Sequence, residues 1–338
     1  MVFISFNILI NLKMSKSYFA ILICLMFVSV NAQKIKLIDF SDQFFGEINM
    51  ISDKNDEQEE NASLVIYDIR LKEIVLETDV FVSEYDFEEK NTKNNIFEFP
   101  YDEQNILIYD DFNFDGINDI AVRIGYYSCY GGPAYNVYLA NKNTFVYDEN
   151  FTDLAQNYCG FFNTNSEKKQ ISTMTKSGCC WHQYNTYKVE NNKPVLIESI
   201  EESYGVLGFL VDYNHSKLEN GKMITENYQT LSYDIDEPIF ELNFTNNKKM
   251  FLYEFDENQL FYGFINSDGI LELIHFEDFV FKSNTNELIF KKGTITYKIS
   301  DSGINVIMPT KNVKLSALNK PKNKLNAKLF ENMTNVSK

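Results

Sequence analysis

Short apolar runs separated by turn residues recur along this sequence, and they constrain the fold more than any other feature. The runs at 105–109, 120–124 and 135–139 have the length of strands, and residues such as Asp268-Gly269 mark tight turns between later runs. No stretch sustains the i, i+3, i+4, i+7 spacing of a long amphipathic helix. The 29 Phe and 21 Tyr residues favour pleated, half-buried surfaces. The sequence therefore predicts an all-β fold.

The pattern of runs and loops divides this all-β chain into successive parts. A strand–calcium loop–strand meander domain is predicted over residues 33–204, with its clearest meander at 170–200. A polar stretch at 212–226 precedes a new series of strands, which predicts a second β-sheet domain over 205–312. The lysine-rich segment 313–338 is expected to be a basic tail, partly disordered or forming one helix.

Residues 1–32 have the features of a secretory signal peptide, with Met14 as the expected start. Lys16 precedes an apolar run at 18–30, and small residues end the segment at Ala32. The run is shorter than the roughly 20 residues that a membrane-spanning helix needs. We therefore expect cleavage after Ala32, no transmembrane segment in the mature chain, and a periplasmic or secreted location.

Charge and motif content exclude several classes of function. The formal net charge is −17, which opposes binding to nucleic acid phosphates and favours a cationic protein partner. Neither G-x-S-x-G nor H-E-x-x-H occurs, and no glycine-rich phosphate loop is present. Pairs of acidic residues could serve a glycosidase, but no pattern selects one pair. The sequence predicts a protein that is not an enzyme.

One motif carries specific chemistry: residues 111–119 match D-x-N-x-D-G-x-x-D. Calcium prefers six to eight oxygen ligands, and alternate residues of a tightly turned loop can point such ligands inward. The motif therefore predicts a Ca²⁺ site with Gly116 at its sharp reversal. The expected ligands are the side chains of Asp111, Asn113, Asp115 and Asp119 and the carbonyl of Ile117. Val122 stands where an EF-hand requires glutamate, so the loop resembles the strand–loop–strand turns of FG-GAP and integrin-type blades.

Four cysteines follow the signal segment: Cys129, Cys159, Cys179 and Cys180. An even number in an exported chain favours disulfides over free thiols, and three pairings are possible. A bridge between adjacent cysteines is geometrically strained. We therefore favour the pairings that join Cys129 and Cys159 to the 179/180 pair over the pairing with a vicinal bridge. A thiol nucleophile or a zinc site with His182 is a weaker reading, because neighbouring strand residues point to opposite faces.

An ordered set of motifs resembles a known protein family. The calcium turn at 111–119, the segment 128–133 (SCYGGP) and the segment 176–182 (KSGCCWH) occur in this order. Together they resemble, over about residues 100–200, the calcium-loop family of periplasmic immunity proteins. These proteins inhibit peptidoglycan-hydrolase effectors of type IV secretion systems. The resemblance implies calcium ligands at Asp111, Asn113, Asp115 and Asp119, and it supplies no inhibitory residues.

These observations lead to a hypothesis about function. We expect an exported, calcium-binding inhibitor or immunity protein that binds a cationic cell-wall hydrolase. Tyr126, Tyr127 and Tyr130 are candidate contacts, because tyrosine is enriched at interface hot spots. The alternative is a cell-surface carbohydrate-binding or adhesion module. An adhesin usually repeats the calcium turn, which occurs once here.

Overall fold

The computed structural model describes residues 34–37, 40–50, 60–83, 86, 96–98, 103–205, 208–232, 237–255 and 258–338. The predicted signal peptide at 1–32 lies outside the described residues. The chain forms two compact units. Unit 1 comprises Met1–Asp110, Ile117–Gly125 and Tyr135–Asp148, and unit 2 comprises Asp111–Gly116, Tyr126–Ala134 and Glu149–Lys338.

Two four-stranded sheets form most of unit 1. The first is an antiparallel meander of β1 (Lys34–Leu37), β2 (Phe44–Met50), β3 (Glu60–Asp68) and β4 (Ile74–Val82). A short pair joins β5 (Ile96–Glu98) to β6 (Glu103–Asn105). The second sheet has the order β10-β9-β8-β7 and contains β7 (Leu107–Asp110), β8 (Asp119–Ser128), β9 (Gly132–Asn141) and β10 (Thr144–Tyr147). A single 3₁₀ turn at Cys129–Gly131 joins β8 to β9.

The apolar residues of these two sheets share one core. Phe44 and Ile48 alternate with less buried residues along β2, as expected for a strand with one covered face. Ile120 and Val122 of β8 are fully buried in the same cluster as Leu64 of β3. The two sheets therefore pack as layers over a common core, which is the arrangement that half-buried sheets require.

The longest segment of unit 2, Glu149–Lys338, begins with the chain's one described α-helix, α1 (Glu149–Gln156), which buries Phe151, Leu154 and Ala155. A six-stranded antiparallel meander follows. Its strands, in spatial as well as chain order, are β11 (Asn163–Asn165), β12 (Gln170–Ser177), β13 (Trp181–Glu190), β14 (Lys193–Tyr204), β15 (Leu210–Glu219) and β16 (Lys222–Leu231).

Two further sheets complete unit 2 and share a large aromatic core. The four-stranded sheet contains β17 (Phe240–Asn243), β18 (Lys249–Phe255), β19 (Gln259–Ile265) and β20 (Leu271–His275), with a 3₁₀ turn at Thr245–Asn247. The last sheet has the order β25-β24-β23-β22-β21-β26. Its strands are β21 (Phe279–Lys282), β22 (Glu287–Lys292), β23 (Ile295–Ser300), β24 (Gly303–Ile307), β25 (Asn312–Ser316) and β26 (Val336–Ser337). Tyr262, Phe281 and Phe290 belong to the core between these sheets.

The all-β prediction is confirmed, with several antiparallel sheets and a single short helix in the described part of the chain. The expected domain boundary at 204/205 falls between β14 and β15, which are hydrogen-bonded neighbours in one sheet. The polar stretch 212–226 forms most of the β15–β16 hairpin. Within the described residues, no helix is long and apolar enough to cross a membrane.

The expectation for 313–338, a partly disordered tail or one helix, is wrong. The segment has no helix, and β26 pairs in parallel with β21. Leu325, Phe330 and Val336 are buried in the aromatic core of unit 2. These apolar side chains hold the segment against the sheets without helical periodicity, because burial of apolar surface outweighs local propensity.

Candidate functional site

The predicted calcium loop connects β7 to β8, as the strand–loop–strand motif requires. Two of its residues adopt left-handed backbone conformations: Phe114 has φ +61° and Gly116 has φ +91°. Glycine adopts such a conformation without a steric penalty, and open space surrounds the position of a Cβ at Gly116. The reversal predicted at Gly116 is therefore present.

Side chains at the first and third positions of the loop accept hydrogen bonds from its own backbone, and the side chain at the fifth position contacts the one at the third. The Asp111 carboxylate accepts hydrogen bonds from the backbone N–H groups of Asp115 (3.1 Å) and Gly116 (2.8 Å). Asn113 Oδ1 accepts another from the N–H of Asp115 at 3.1 Å, and Asn113 Nδ2 donates to Asp115 Oδ2 at 3.2 Å. Three oxygen-bearing side chains thus converge inside residues 111–116.

Aromatic packing and one lysine fix this part of the loop. Phe112 is buried and makes edge-to-face contacts with Phe161 and Phe162, at ring-centroid distances of 5.3 and 5.5 Å. Lys169 Nζ donates a hydrogen bond to the carbonyl of Phe114 at 3.1 Å. These contacts hold the loop in its turned conformation, so a ligand would meet a preformed arrangement.

The last two predicted ligands are Ile117, which precedes β8, and Asp119, which is the first residue of β8. The side chain of Ile117 is exposed, which suits a position expected to contribute only its carbonyl. Asp119 is fully buried, and its Oδ1 accepts a hydrogen bond from the N–H of Ala140 at 2.8 Å. One oxygen of Asp119 is therefore engaged with β9, and this residue has a structural role in addition to any role as a ligand.

The oxygen chemistry of the loop fits calcium. Hard cations of this size bind carboxylate, amide and carbonyl oxygens, all of which residues 111–116 supply. In the part of the chain that the structure describes, no group of three or more His, Cys, Asp and Glu residues has the geometry of a metal site. The loop itself joins two carboxylates, from Asp111 and Asp115, to the amide of Asn113. Calcium binding stays a prediction that rests on the motif and on this convergence.

The disulfide pairing differs from the one favoured on the sequence. Cys129 pairs with Cys159, and Cys179 pairs with Cys180, with Cα–Cα distances of 4.5 and 3.7 Å. The N–H of Cys159 donates a hydrogen bond to the carbonyl of Met174 on β12 at 2.7 Å. The adjacent cysteines occupy the exposed turn between β12 and β13. The preference, which rested on the strain of a vicinal bridge, was wrong because the cysteines that meet are set by packing between segments distant in sequence.

Of the candidate tyrosines, Tyr126 and Tyr127 lie at the end of β8, and Tyr130 lies in the turn that follows. Tyr127 and Tyr130 are 57% and 64% exposed, whereas Tyr126 is half-buried. The hydroxyl of Tyr130 accepts a hydrogen bond from the N–H of Gly178 at 2.6 Å. Lys176 Nζ lies 5.0 Å from the centroid of the Tyr130 ring, within the range of a cation–π contact.

We call this region the braced tip: residues 126–131 and 175–180 with the Cys129–Cys159 bridge. An open depression of about 420 Å³ lies on it. Its lining is polar and uncharged apart from Lys176, and includes Gln156, Asn157 and Thr175. The structure thus brings two of the three predicted tyrosines to an exposed, cross-linked surface.

A second surface was not predicted from the sequence, and we call it the tyrosine face. It lies on one side of the six-stranded sheet, where the pairing register aligns His182, Glu202, Tyr213 and Tyr228 in one cross-strand row. Tyr184 and His215 belong to the adjacent row on the same side, because alternate strand residues share a face. These residues are separated in sequence, so only the register reveals that they form one surface.

Two histidine–carboxylate pairs lie on the tyrosine face. His215 Nε2 lies 2.7 Å from Glu198 Oε1, and this hydrogen bond lowers the pKa of Glu198. His182 Nδ1 lies 3.2 Å from Glu202 Oε1, while the hydroxyl of Tyr213 donates to Glu202 Oε2 at 3.2 Å. Burial, followed by the nearby Glu202 charge, raises the pKa of Tyr213 to about 12. The face therefore combines aromatic rings with oriented hydrogen-bonding groups.

Comparison with protein family models and with curated proteins finds no match. Among solved structures, the chain is similar to a Xanthomonas type IV secretion system related protein, with 21% identity over 58% of this chain and 94% of that chain and a TM-score of 0.45. It also matches a putative 6-phosphogluconolactonase from Bacteroides fragilis, with 7% identity over 85% of this chain and 97% of that chain and a TM-score of 0.21. The acylaminoacyl peptidase of Pyrococcus horikoshii matches with 8% identity over 80% of this chain and 50% of that chain, and a TM-score of 0.23. At these TM-scores, none of the likenesses carries a functional argument.

Proposed function

We propose that this protein is an exported, calcium-binding protein without catalytic activity that binds and inhibits a cationic peptidoglycan hydrolase. The observation that carries the proposal is the braced tip, which exposes Tyr127 at the end of β8 and Tyr130 in the following turn, next to the Cys129–Cys159 bridge. Tyrosine supplies a large, amphipathic contact area and is enriched among residues that dominate binding energy. The tip is therefore the proposed contact surface.

The cross-links of the tip favour tight binding. Ordering a flexible loop on association opposes binding, so a loop that is already fixed loses less conformational entropy. The Cys129–Cys159 bridge and the hydrogen bond from Gly178 to Tyr130 both restrict this surface before a partner arrives. A preorganised tip of this kind suits an inhibitor that must persist on its target.

The charge of the whole chain supports a cationic partner. The net charge of −17 creates a long-range field that attracts a basic enzyme and speeds its association. The tip itself carries Lys176 and no acidic side chain in its depression. Charge is therefore expected to act on the association rate, while the tyrosines act on the dissociation rate.

The test is the clearing of cell-wall suspensions by lysozyme-like hydrolases, with and without the mature protein. We expect inhibition at a small molar excess, and an association rate that falls steeply with added salt. Tyr127→Ala should weaken inhibition by about tenfold or more, as for a central interface tyrosine. Tyr147→Ala is the matched control, since Tyr147 is 49% exposed but lies on β10, outside the tip.

Failure to slow any enzyme of a broad hydrolase panel at tenfold molar excess would contradict the proposal. Equal loss of inhibition in Tyr127→Ala and Tyr147→Ala would instead show that the tip is not the contact surface. Intact mass gives a separate check on export, because protein recovered from the periplasm or medium should begin at Gln33. A chain that retains Met14 would argue against export.

The tyrosine face favours a second candidate function, glycan binding. Tyr184 is exposed beside His182, their rings 6.4 Å apart and nearly parallel, and the half-buried Glu202 lies alongside. Flat aromatic rings flanked by carboxylates are suited to the apolar faces and hydroxyls of sugars. Retention on a glycan array that Tyr184→Ala abolishes and Tyr127→Ala leaves intact would favour this function over hydrolase inhibition.

A further inference from the structure

The last strand of the six-stranded sheet, β16, is an edge strand. It pairs with β15 on one side, and on its other side the described residues provide only an isolated bridge between Thr230 and Ile270. Every residue from 222 to 227 is exposed. The outer edge of such a strand presents a row of N–H and C=O groups that can pair with another chain.

The turn before β16 determines which backbone groups point outward. Asn220 and Gly221 both have positive φ, 51° and 77°, and form a two-residue turn between the paired residues Glu219 and Lys222. The pair that closes such a turn exchanges both backbone hydrogen bonds, and this pattern alternates along an antiparallel ladder. The N–H and C=O groups of Met223, Thr225 and Asn227 therefore face away from β15.

The side chains of β16 differ from those of an edge strand that must stay unpaired. Met223 and Ile224 are 37% and 47% exposed, and Leu218, opposite Met223 on β15, is also exposed. Natural edge strands usually carry charges or proline that prevent pairing. Here the charges are one lysine, Lys222, and one glutamate, Glu226, on the same side of the strand as Ile224.

We propose that β16 pairs antiparallel with β16 of a second copy of this chain, with the two-fold axis at Ile224. In this register Ile224 lies opposite Ile224 of the second copy. Lys222 lies opposite Glu226 of the second copy, and the symmetry repeats this pair. Met223 lies opposite Thr225, so the outward backbone groups of both residues exchange hydrogen bonds. Each chain thus presents complementary charge to its copy.

Charge and apolar contacts select this register over its neighbours. Moving the axis to Thr225 places Ile224 opposite Glu226 of the second copy. This register separates Ile224 from Ile224 and Lys222 from Glu226. Moving it to Glu226 places two glutamates opposite each other, and like charges in that position destabilise a strand pair. The proposed register is the one in which Ile224 pairs with Ile224 and Lys222 with Glu226.

The expected dimer is weak. One strand pair buries less than the roughly 1,000 Å² that a stable interface usually requires. The dimer should therefore form at micromolar or higher concentrations and dissociate on dilution. The pairing joins two six-stranded sheets edge to edge through β16. It uses no residue of the braced tip, so it does not depend on the proposed inhibition of a hydrolase.

Sedimentation velocity of the full mature chain over a wide concentration range tests the proposal. We expect a monomer–dimer equilibrium whose association constant falls roughly tenfold or more in Ile224→Lys, because apolar contact is lost and two lysines then face each other. Val280→Lys is the matched control: Val280 is 42% exposed on β21, and both edges of that strand are occupied by β22 and β26. It should leave the equilibrium unchanged.

Two further variants test the register. Ile224→Cys should give a disulfide-linked dimer, because facing residues of a non-hydrogen-bonded pair lie about 4.5 Å apart at Cα, within disulfide range. Thr225→Cys should not, because it faces Met223 of the second copy. Lys222→Glu and Glu226→Lys should each weaken the dimer, and the double variant should restore it.

Three results would overturn the proposal. They are a monomer at every concentration, a dimer that Ile224→Lys leaves intact, and equal cross-linking of Ile224→Cys and Thr225→Cys. Thermal unfolding of each variant confirms that a lost dimer does not reflect a lost fold. An assembly with a different protein, but never with itself, would also count against self-pairing.

Discussion

Arg123 and Asp86 form an ion pair in which both side chains are completely shielded from solvent. Arg123 lies on β8 and also donates a hydrogen bond to the carbonyl of Phe81 at 3.3 Å. Burying two charges is unfavourable unless each compensates the other. The pair therefore makes the interior of unit 1 dependent on the presence of both partners.

Removing one partner of this pair should destabilise the protein strongly. We expect Arg123→Met to lower the free energy of unfolding by about 3–5 kcal/mol, because Asp86 is left as an uncompensated buried charge. The double variant Arg123→Met/Asp86→Leu should be more stable than the single variant. Urea unfolding measures both. Lys36→Met removes the ion pair between this exposed lysine and Glu47 and should change stability by less than about 1 kcal/mol.

Calcium should stabilise the folded protein. A ligand that binds the native state raises the free energy of unfolding by RT ln(1 + [L]/Kd), so millimolar calcium should raise the melting temperature and magnesium should do so less. Asp115→Ala should abolish the rise, since it removes one of the converging carboxylates. Glu167→Ala removes an exposed carboxylate outside the loop and is the control. A calcium response that persists in Asp115→Ala would refute the assignment.

The two disulfides should differ in their effect on stability. The Cys129–Cys159 bridge spans 30 residues, and the loop-closure model gives about 3–4 kcal/mol for its removal. The Cys179–Cys180 bridge joins neighbours and closes almost no loop, so its double serine variant should unfold nearly as the wild type does. Chemical denaturation of the two double variants measures the difference, and thiol titration of denatured wild-type protein should find no free thiol.

Unit 2 should lose stability as the pH falls below about 6.5. His275 is buried against Phe290, with ring centroids 4.3 Å apart, and burial lowers its pKa from the ordinary value. The neighbouring Asp278 and Glu277 oppose this shift, while Lys292 adds to it.

The sign of the pH effect follows from proton uptake. Between the pKa of His275 in the folded state and about 6.5, its pKa in the unfolded state, the unfolded protein binds more protons than the folded protein. The free energy of unfolding therefore rises with pH across this range and has reached its full value above it. Unfolding curves between pH 5 and 8 should show this slope, and His275→Asn should flatten it. The same slope in the variant would exclude His275 as its source.

Local sequence signals were sufficient to predict most strands but not to predict which strands pair with each other. The runs at 120–124 and 135–139 lie within β8 and β9, because alternation and turn residues act over a few neighbours. Helix α1 was missed because Phe151, Leu154 and Ala155 amount to one repeat of helical spacing. β15 and β16 were missed because much of their length faces solvent and carries polar residues.

In the candidate site, too, local features could be predicted from the sequence, whereas features that depend on strand pairing could not. Residues 111–116 could be predicted because their hydrogen bonds join positions two to five residues apart. The Cys129–Cys159 bridge and the alignment of Tyr213 with Glu202 could not be predicted, because both depend on strand register and on packing between distant segments. The engagement of Asp119 with Ala140 was likewise hidden in the pairing of β8 with β9.

The interleaving of the two units limits how this gene can be cut or recombined. Unit 1 takes its residues from before 111, from 117–125 and from 135–148, and the intervening stretches belong to unit 2. A break after Asp148 leaves every residue of unit 1 on one fragment, but it removes residues 111–116 and 126–134 from unit 2. We therefore expect the fragment 149–338 to be insoluble or degraded when it is expressed alone. Unlike a domain in a protein assembled from shuffled modules, unit 2 cannot be expressed or recombined as one continuous segment of the chain.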